Sequence, residues 1–106
     1  MTNDGFRPLG PSGQVEENDV RPYYLPERKL RLNVARVGGR LYAFAGLCAH
    51  ERCPLSAGLL RGTTIQCQCH GSTYDLATGA VLTGPATESL AVYEARENQG
   101  QIEVKL

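Results

Sequence analysis

Two short cysteine-histidine pairs, Cys48-Ala49-His50 and Cys67-Gln68-Cys69-His70, are separated by the 16 residues from Glu51 to Gln66. Each pair offers one thiolate and one imidazole. If both serve one centre, the fold must present them on two loops that meet at one end of the molecule. No other feature restricts the chain as much. Two irons suit this donor set, with two thiolates on one iron and two imidazoles on the other, the mixed ligation of one class of [2Fe–2S] centre. Zinc is the competing occupant, because Cys₂His₂ is also a normal zinc set. Zinc motifs usually pair like ligands, however. Here each loop mixes Cys with His, and the first spacing is a single residue. The two-iron reading therefore leads, and it points to electron transfer rather than to a catalytic pocket.

A chain of 106 residues suffices for one domain with one core. Two Phe and no Trp make that core modest and aliphatic, so a metal centre would help to staple it. The 11 basic and 11 acidic residues cancel. The basic residues are scattered, which argues against nucleic acid and against a membrane surface. No apolar run approaches the roughly 18 residues of a spanning helix. The N-terminus is polar and has neither an apolar signal core nor a twin-arginine pair. A soluble cytoplasmic protein is expected.

Pro8, Gly10, Pro11 and Gly13, with Glu16, Glu17 and Asp19, predict a loosely held flexible arm over residues 1–20, leaving 21–106 as the single domain. Leu30, Leu32 and Val34 alternate with Arg31 and Asn33, the pattern of a half-buried strand. Gly38-Gly39 signals a hairpin, and Leu41 to Ala45 returns with Tyr42 and Phe44 on one face. Leu90 and Val92, then Ile102, Val104 and Leu106, give further alternating runs joined through Asn98-Gln99-Gly100. Thr63 to Gln66 and Tyr74 to Leu82 are shorter, the latter turning at Ala77-Thr78-Gly79. No segment has a helical period. The expectation is all-β, with short antiparallel strands and both metal motifs on loops.

The donor set has an electrostatic consequence. An oxidised [2Fe–2S] core carries two positive charges, which two thiolates cancel and two neutral imidazoles leave unchanged. The centre is neutral when oxidised and singly negative when reduced. Four thiolates would make it doubly and then triply negative, so replacing two Cys by two His raises the potential. A second ring nitrogen on each histidine can couple reduction to protonation. A general acid/base role for His50 and His70 is weaker, since both already serve the metal pattern.

The remaining cysteines are Cys53 and Cys69. If the two loops share one centre, these two are brought near each other. A Cys53–Cys69 disulfide would then lock the loops and keep the centre covered. The alternative is a pair of thiols, because the cytosol is reducing.

At Cys48-Ala49-His50-Glu51-Arg52-Cys53 and Cys67-Gln68-Cys69-His70-Gly71-Ser72 the chain resembles the two cluster-binding boxes of the Rieske family, over about residues 25 to 106. The resemblance implies an antiparallel three-sheet sandwich with a small cluster-binding subdomain, carrying cluster loops at 48–58 and 67–74. It implies that Cys48 and Cys67 bind the inner iron of one [2Fe–2S] cluster. His50 and His70 would bind the outer iron through Nδ1. Gly84-Pro85-Ala86 resembles the proline loop, 83–87, that covers the cluster; an ordinary turn is the alternative.

Two branches of that family compete. The Cys53/Cys69 pair and the hydroxyls of Ser72 and Tyr74 resemble the Rieske subunit of quinol-oxidising complexes. By that resemblance the hydroxyls donate to a bridging sulfide and a ligand thiolate and raise the potential. A turn-capping Ser72 and a core Tyr74 are the alternatives. Pro54-Leu55-Ser56-Ala57-Gly58 and the stretch from Thr78 to Thr87 resemble soluble ferredoxins. Glu51 and Arg52 replace the apolar quinol-docking tip, suiting a polar, transient interface. The expectation is a one-electron carrier, not an enzyme. It would pass electrons from an NAD(P)H-dependent flavoprotein reductase to a terminal oxygenase, docking at the His50/His70 tip. A subunit of a larger redox complex is the second reading, and a thiol-disulfide redox sensor the third.

Overall fold

The computed structural model describes residues 5–47, 53–69, 71–84 and 88–106. Its ten strands are β1 (Phe6–Pro11), β2 (Val20–Leu25), β3 (Leu30–Val37), β4 (Arg40–Ala45), β5 (Leu59–Arg61), β6 (Thr64–Gln66), β7 (Thr73–Asp75), β8 (Val81–Thr83), β9 (Val92–Asn98) and β10 (Gln101–Lys105). Two single 3₁₀ turns, Ser12–Gln14 and Leu55–Ala57, complete the secondary structure, and no α-helix occurs among the described residues. The all-β expectation is met.

The strands form a six-stranded sheet, β1-β10-β9-β4-β3-β2, and a four-stranded sheet, β5-β6-β7-β8, with antiparallel pairing throughout. The larger sheet is nearly two. Only Ala43↔Tyr93 and Phe44↔Val92 join β4 to β9, after which β9 pairs with β10. The sheet folds over at this seam, since Leu32, Val34, Leu41 and Ala43 of β3 and β4 pack in one cluster with Ile102 and Val104 of β10. Three packing layers result, two of them sharing β9.

Each strand begins from its sequence. Gly38 and Gly39 sit at φ +61° and +77°, the left-handed pair that a two-residue hairpin between right-twisted strands requires. Gln99 and Gly100 repeat this between β9 and β10 at φ +52° and +78°. In β3 the register places Leu32 and Val34 on the face toward β10, and Asn33 and Ala35 on the opposite face with Tyr42 and Phe44 of β4. That opposite face is also covered. Ala35 and Phe44 pack with Leu55, Ile65, Cys67, Tyr74, Leu76 and Leu90 of the smaller sheet and its loops. All four residues Leu32–Ala35 are therefore buried, so β3 is a central layer rather than the half-buried strand its alternation suggests. Asn33 tolerates this by donating from Nδ2 to the carbonyls of Ala45 and Gly46, at 3.4 and 3.5 Å.

The expected loose arm over residues 1–20 is overturned for residues 5–20. Phe6–Pro11 pairs with β10, with an irregularity in register between Pro8 and Gly10. Proline cannot donate to a ladder, but an edge strand with a bulge needs no donor there. Val15 is buried. The Arg36 guanidinium donates to the carbonyls of Val15 and Ser12 and to the Glu97 carboxylate. Glu17 accepts from the backbone N–H groups of Gly38 and Gly39. The sequence reading also passed over β2, where Pro22 interrupts the alternation of another edge strand.

Candidate cluster-binding site

The four-stranded sheet and the 3₁₀ turn Leu55–Ala57 form a small subdomain on the β3–β4 face; in sequence the first cysteine-histidine pair lies between β4 and this subdomain, and the second between β6 and β7. The first loop rises from a closed base. Leu47 bridges Pro54 in antiparallel fashion, and the Leu55 N–H donates to the Gly46 carbonyl at 2.9 Å. Leu55 is fully buried, which anchors the chain as it leaves the loop. Gly58 then passes across the end of β6. A Cβ there would lie 2.4 Å from the Gln66 carbonyl oxygen, so only glycine fits. This contact fixes the exit of the first loop against the residue that precedes Cys67.

The second loop is a tight reversal between β6 and β7. The Cys67 N–H donates to the Ser72 carbonyl at 2.8 Å, and the Gly71 N–H donates to the Cys67 carbonyl at 3.0 Å. Gly71 takes φ +79°, and its carbonyl accepts from Gln66 Nε2. The result places Cys67 and Ser72 side by side, both 1% exposed, with Tyr74 fully buried two residues further on. No buried side-chain nitrogen or oxygen among the described residues lacks a hydrogen-bond partner.

The two loop bases are joined covalently by a Cys53–Cys69 disulfide with Cα atoms 6.5 Å apart. The sequence favours this pairing over two free thiols, and the structure pairs them. Cys67 Sγ joins them in a group whose three sulfurs all lie within 4.8 Å of one another. Cys53 is half-buried and Cys69 exposed. On the far side, the Thr73 and Thr83 hydroxyls are hydrogen-bonded, and Gly84 follows β8 at the surface. Cys48, His50, His70, Pro85 and Ala86 lie outside the described residues, as do Glu51 and Arg52.

The described part of the site fits an iron-sulfur cluster on its chemistry. A thiol buried at a loop base, against a disulfide and in one packed cluster with the buried Tyr74, has the surroundings of a metal-bound thiolate. Unpaired negative charge would be costly there. Hydroxyl donors next to a ligand sulfur stabilise negative charge on it. A crevice of about 420 Å³ beside the first loop's base is lined by Tyr23, Tyr24, Arg31, Asn33, Leu47 and Pro54 among others. Its described lining holds no histidine, thiol or carboxylate, so it offers no acid–base pair.

Sequence reasoning missed the two glycines that set the loops. Gly58 could be seen as a turn residue, but its contact with Gln66 is a tertiary fact. Gly79, at φ +81°, has no room for a Cβ because the Leu90 carbonyl oxygen would stand 2.0 Å from it. Gly79 also accepts the Leu90 N–H, at 2.7 Å. This seam fastens the β7–β8 hairpin to the segment that leads into β9.

A Rieske [2Fe-2S] domain model matches residues 6–94. The anthranilate 1,2-dioxygenase ferredoxin subunit of Burkholderia cepacia is 31% identical over 101 residues, covering 95% of this chain and 92% of that one. Among solved structures, the Sphingomonas yanoikuyae B1 ferredoxin superposes with a TM-score of 0.87 at 27% identity, covering 94% of this chain and 97% of that one. A chain from the complex of reduced oxygenase and oxidized ferredoxin in carbazole 1,9a-dioxygenase gives 0.86 at 28% identity, covering 97% and 94%. The matched span contains both cysteine-histidine boxes and the strands that carry them, and the chain belongs to the Rieske [2Fe-2S] domain family.

Proposed function

We propose that this chain is a soluble, cytoplasmic one-electron carrier with one Rieske [2Fe–2S] cluster. It takes an electron from an NAD(P)H-dependent flavoprotein reductase and delivers it to a terminal oxygenase. The observation that carries the reading is Cys67, buried at the base of a loop that a disulfide ties to the other cysteine-histidine box. The relatives, named as ferredoxin components of dioxygenase systems, support the choice of partners. No helix among the described residues is long and apolar enough to cross a membrane.

Cys48, His50, Cys67 and His70 hold the cluster, which supplies a one-electron couple when bound. Ser72 and Tyr74 donate hydrogen bonds toward ligand or bridging sulfur, and Gly84, Pro85 and Ala86 cover the third side. The cluster loops span 48–58 and 67–74, and 83–87 forms the cover. The disulfide holds the two boxes in register, and Leu55 and Gly58 hold the base of the first loop in place. On this reading the partner docks transiently at His50 and His70, through a polar interface to which Glu51 and Arg52 contribute.

The test is anaerobic purification with iron and sulfide analysis, visible circular dichroism and a redox titration at several pH values. Two irons and two sulfides per chain are expected, with a one-electron midpoint that falls as pH rises. The reductase and oxygenase of an aromatic-ring dioxygenase system then serve as probes. Reduction by NADH through the reductase, followed by reoxidation by the oxygenase, supports the carrier reading. Zinc with no sulfide would end it. Reoxidation by a quinone but not by the oxygenase would move the chain to the quinol branch.

A further inference from the structure

Cys67 is not in the disulfide, yet its Sγ lies within 4.8 Å of both disulfide sulfurs. A thiolate beside a disulfide is a reactant pair. Attack on one sulfur forms a new S–S bond as the old one breaks, with no net oxidation. Cluster iron, on the reading above, engages Cys67 and withdraws it from this chemistry. We propose that Cys53, Cys67 and Cys69 form a thiol–disulfide exchange site that operates when the cluster is absent. In the step, Cys67 Sγ attacks Cys53 Sγ. The Cys67–Cys53 bond forms and the Cys53–Cys69 bond breaks. Cys69 Sγ leaves with the electron pair, and the proton given to water by Cys67 is regained at Cys69. No external oxidant or reductant is needed.

Burial sets the direction. Cys69 is exposed and Cys53 half-buried, so the departing thiolate is better hydrated if it is Cys69. Attack on Cys69 would leave the charge on Cys53 and close a ring across the single residue Gln68. The favoured product still ties the first loop base to the second, with a sequence separation of 14 (67 minus 53) in place of 16. The fold is therefore kept while a cluster ligand is lost. Cluster binding and disulfide isomer are then linked: iron stabilises the Cys53–Cys69 form, and the Cys53–Cys67 form excludes iron. An emptied protein locks itself until a dithiol reductant reopens it.

The experiment strips the anaerobically purified holo-protein with a chelator in the absence of thiols. Samples are then alkylated with iodoacetamide at intervals. Peptide mass spectrometry, with fragmentation between Cys67 and Cys69, reads the linkage. The holo-protein is expected to show only Cys53–Cys69. After stripping, Cys53–Cys67 should accumulate as the alkyl label moves onto Cys69. Uptake of added iron and sulfide should fall in proportion, and a dithiol should restore it. In Cys67→Ser, isolated without cluster because a ligand is missing, the Cys53–Cys69 bond should persist; an unchanged number of alkylated thiols in the unsubstituted protein separates exchange from oxidation by trace oxygen. Label confined to Cys67 with Cys53–Cys69 intact at all times would overturn the proposal, as would a new bond to Cys48. Metal and sulfide analysis of the starting protein judges the cluster reading separately. Should zinc be found, the label pattern after its removal still decides the exchange.

Discussion

The six-stranded frame and the four-stranded cluster subdomain are both β-sheet, but they are held by different means. Frame strands run from five to eight residues, while every strand of the subdomain has three. The frame relies on register and on aliphatic packing of Leu32, Val34, Leu41, Ile102 and Val104. The subdomain relies on a shared core under Phe44, two glycine passages and one covalent bond. Strands that short cannot fix a loop by ladder length. Backbone contact at Gly58 and Gly79 and the Cys53–Cys69 link do so instead. These contacts hold the bases of both loops without long strands.

The comparison breaks most sharply with one leucine on each side. Leu32→Ala in the frame and Leu55→Ala under the first loop each remove a fully buried side chain. Both should cost about 2–5 kcal/mol by thermal or denaturant unfolding. Only Leu55→Ala should also speed loss of the visible cluster spectrum under a chelator. Equal rates of cluster loss in the two variants would mean that frame and subdomain open as one unit.

The disulfide gives the next effect. Closing a loop of this length stabilises by about 3 kcal/mol in the chain-entropy model. The Cys53→Ser/Cys69→Ser double variant should lose about that much in the cluster-free protein. It should lose less with the cluster bound, because iron already links the same loops. An equal loss in both states would show that cluster and disulfide act on different parts of the unfolded chain.

These contrasts also explain what the sequence revealed. β3, β4, β6, β9 and β10 were legible because alternation and paired left-handed turn residues are local signals. The disulfide was legible only as a consequence of both boxes sharing one centre. The edge strands β1 and β2 were hidden by Pro8, Pro11 and Pro22, since proline reads as a breaker until one knows that the strand has a free edge. Burial of Asn33 and the closeness of Gly58 to Gln66 depend on which sheet packs on which face, and no periodicity reports that. The role of Arg36 was hidden for the same reason, because its partners at Ser12, Val15 and Glu97 are far away in sequence.

Tyr74 sharpens the comparison inside the subdomain. It packs in one cluster with Phe44, Leu55 and Leu76, and its hydroxyl is the donor proposed above. Tyr74→Phe keeps the packing and deletes the donor. If that donor favours the reduced cluster by about 1 kcal/mol, the midpoint should fall by about 40 mV for a one-electron couple. A redox titration checks this. An unchanged midpoint would make Tyr74 a core residue only.

The smallest effect lies at the far end of the frame, where Arg36 clamps the N-terminal segment. Its guanidinium donates to Glu97 and holds that carboxyl below the ordinary glutamate range, against a smaller opposing effect of burial. A lowered folded pKa means that the contribution is complete above the unfolded value, roughly 4.3. It is lost as pH falls through the lower, folded value. Glu97 is 40% exposed, so solvent screens the pair and its worth is at most about 1 kcal/mol. Glu97→Gln should therefore flatten the acid limb of the stability–pH profile slightly and leave the cluster's midpoint unchanged. The same substitution should leave the Arg36 bonds to the Val15 and Ser12 carbonyls in place, so protection of the N-terminal amides from hydrogen exchange should survive. Arg36→Met should abolish that protection. If Glu97→Gln removed it as well, the ion pair rather than the carbonyl contacts would be what fastens the segment to the frame.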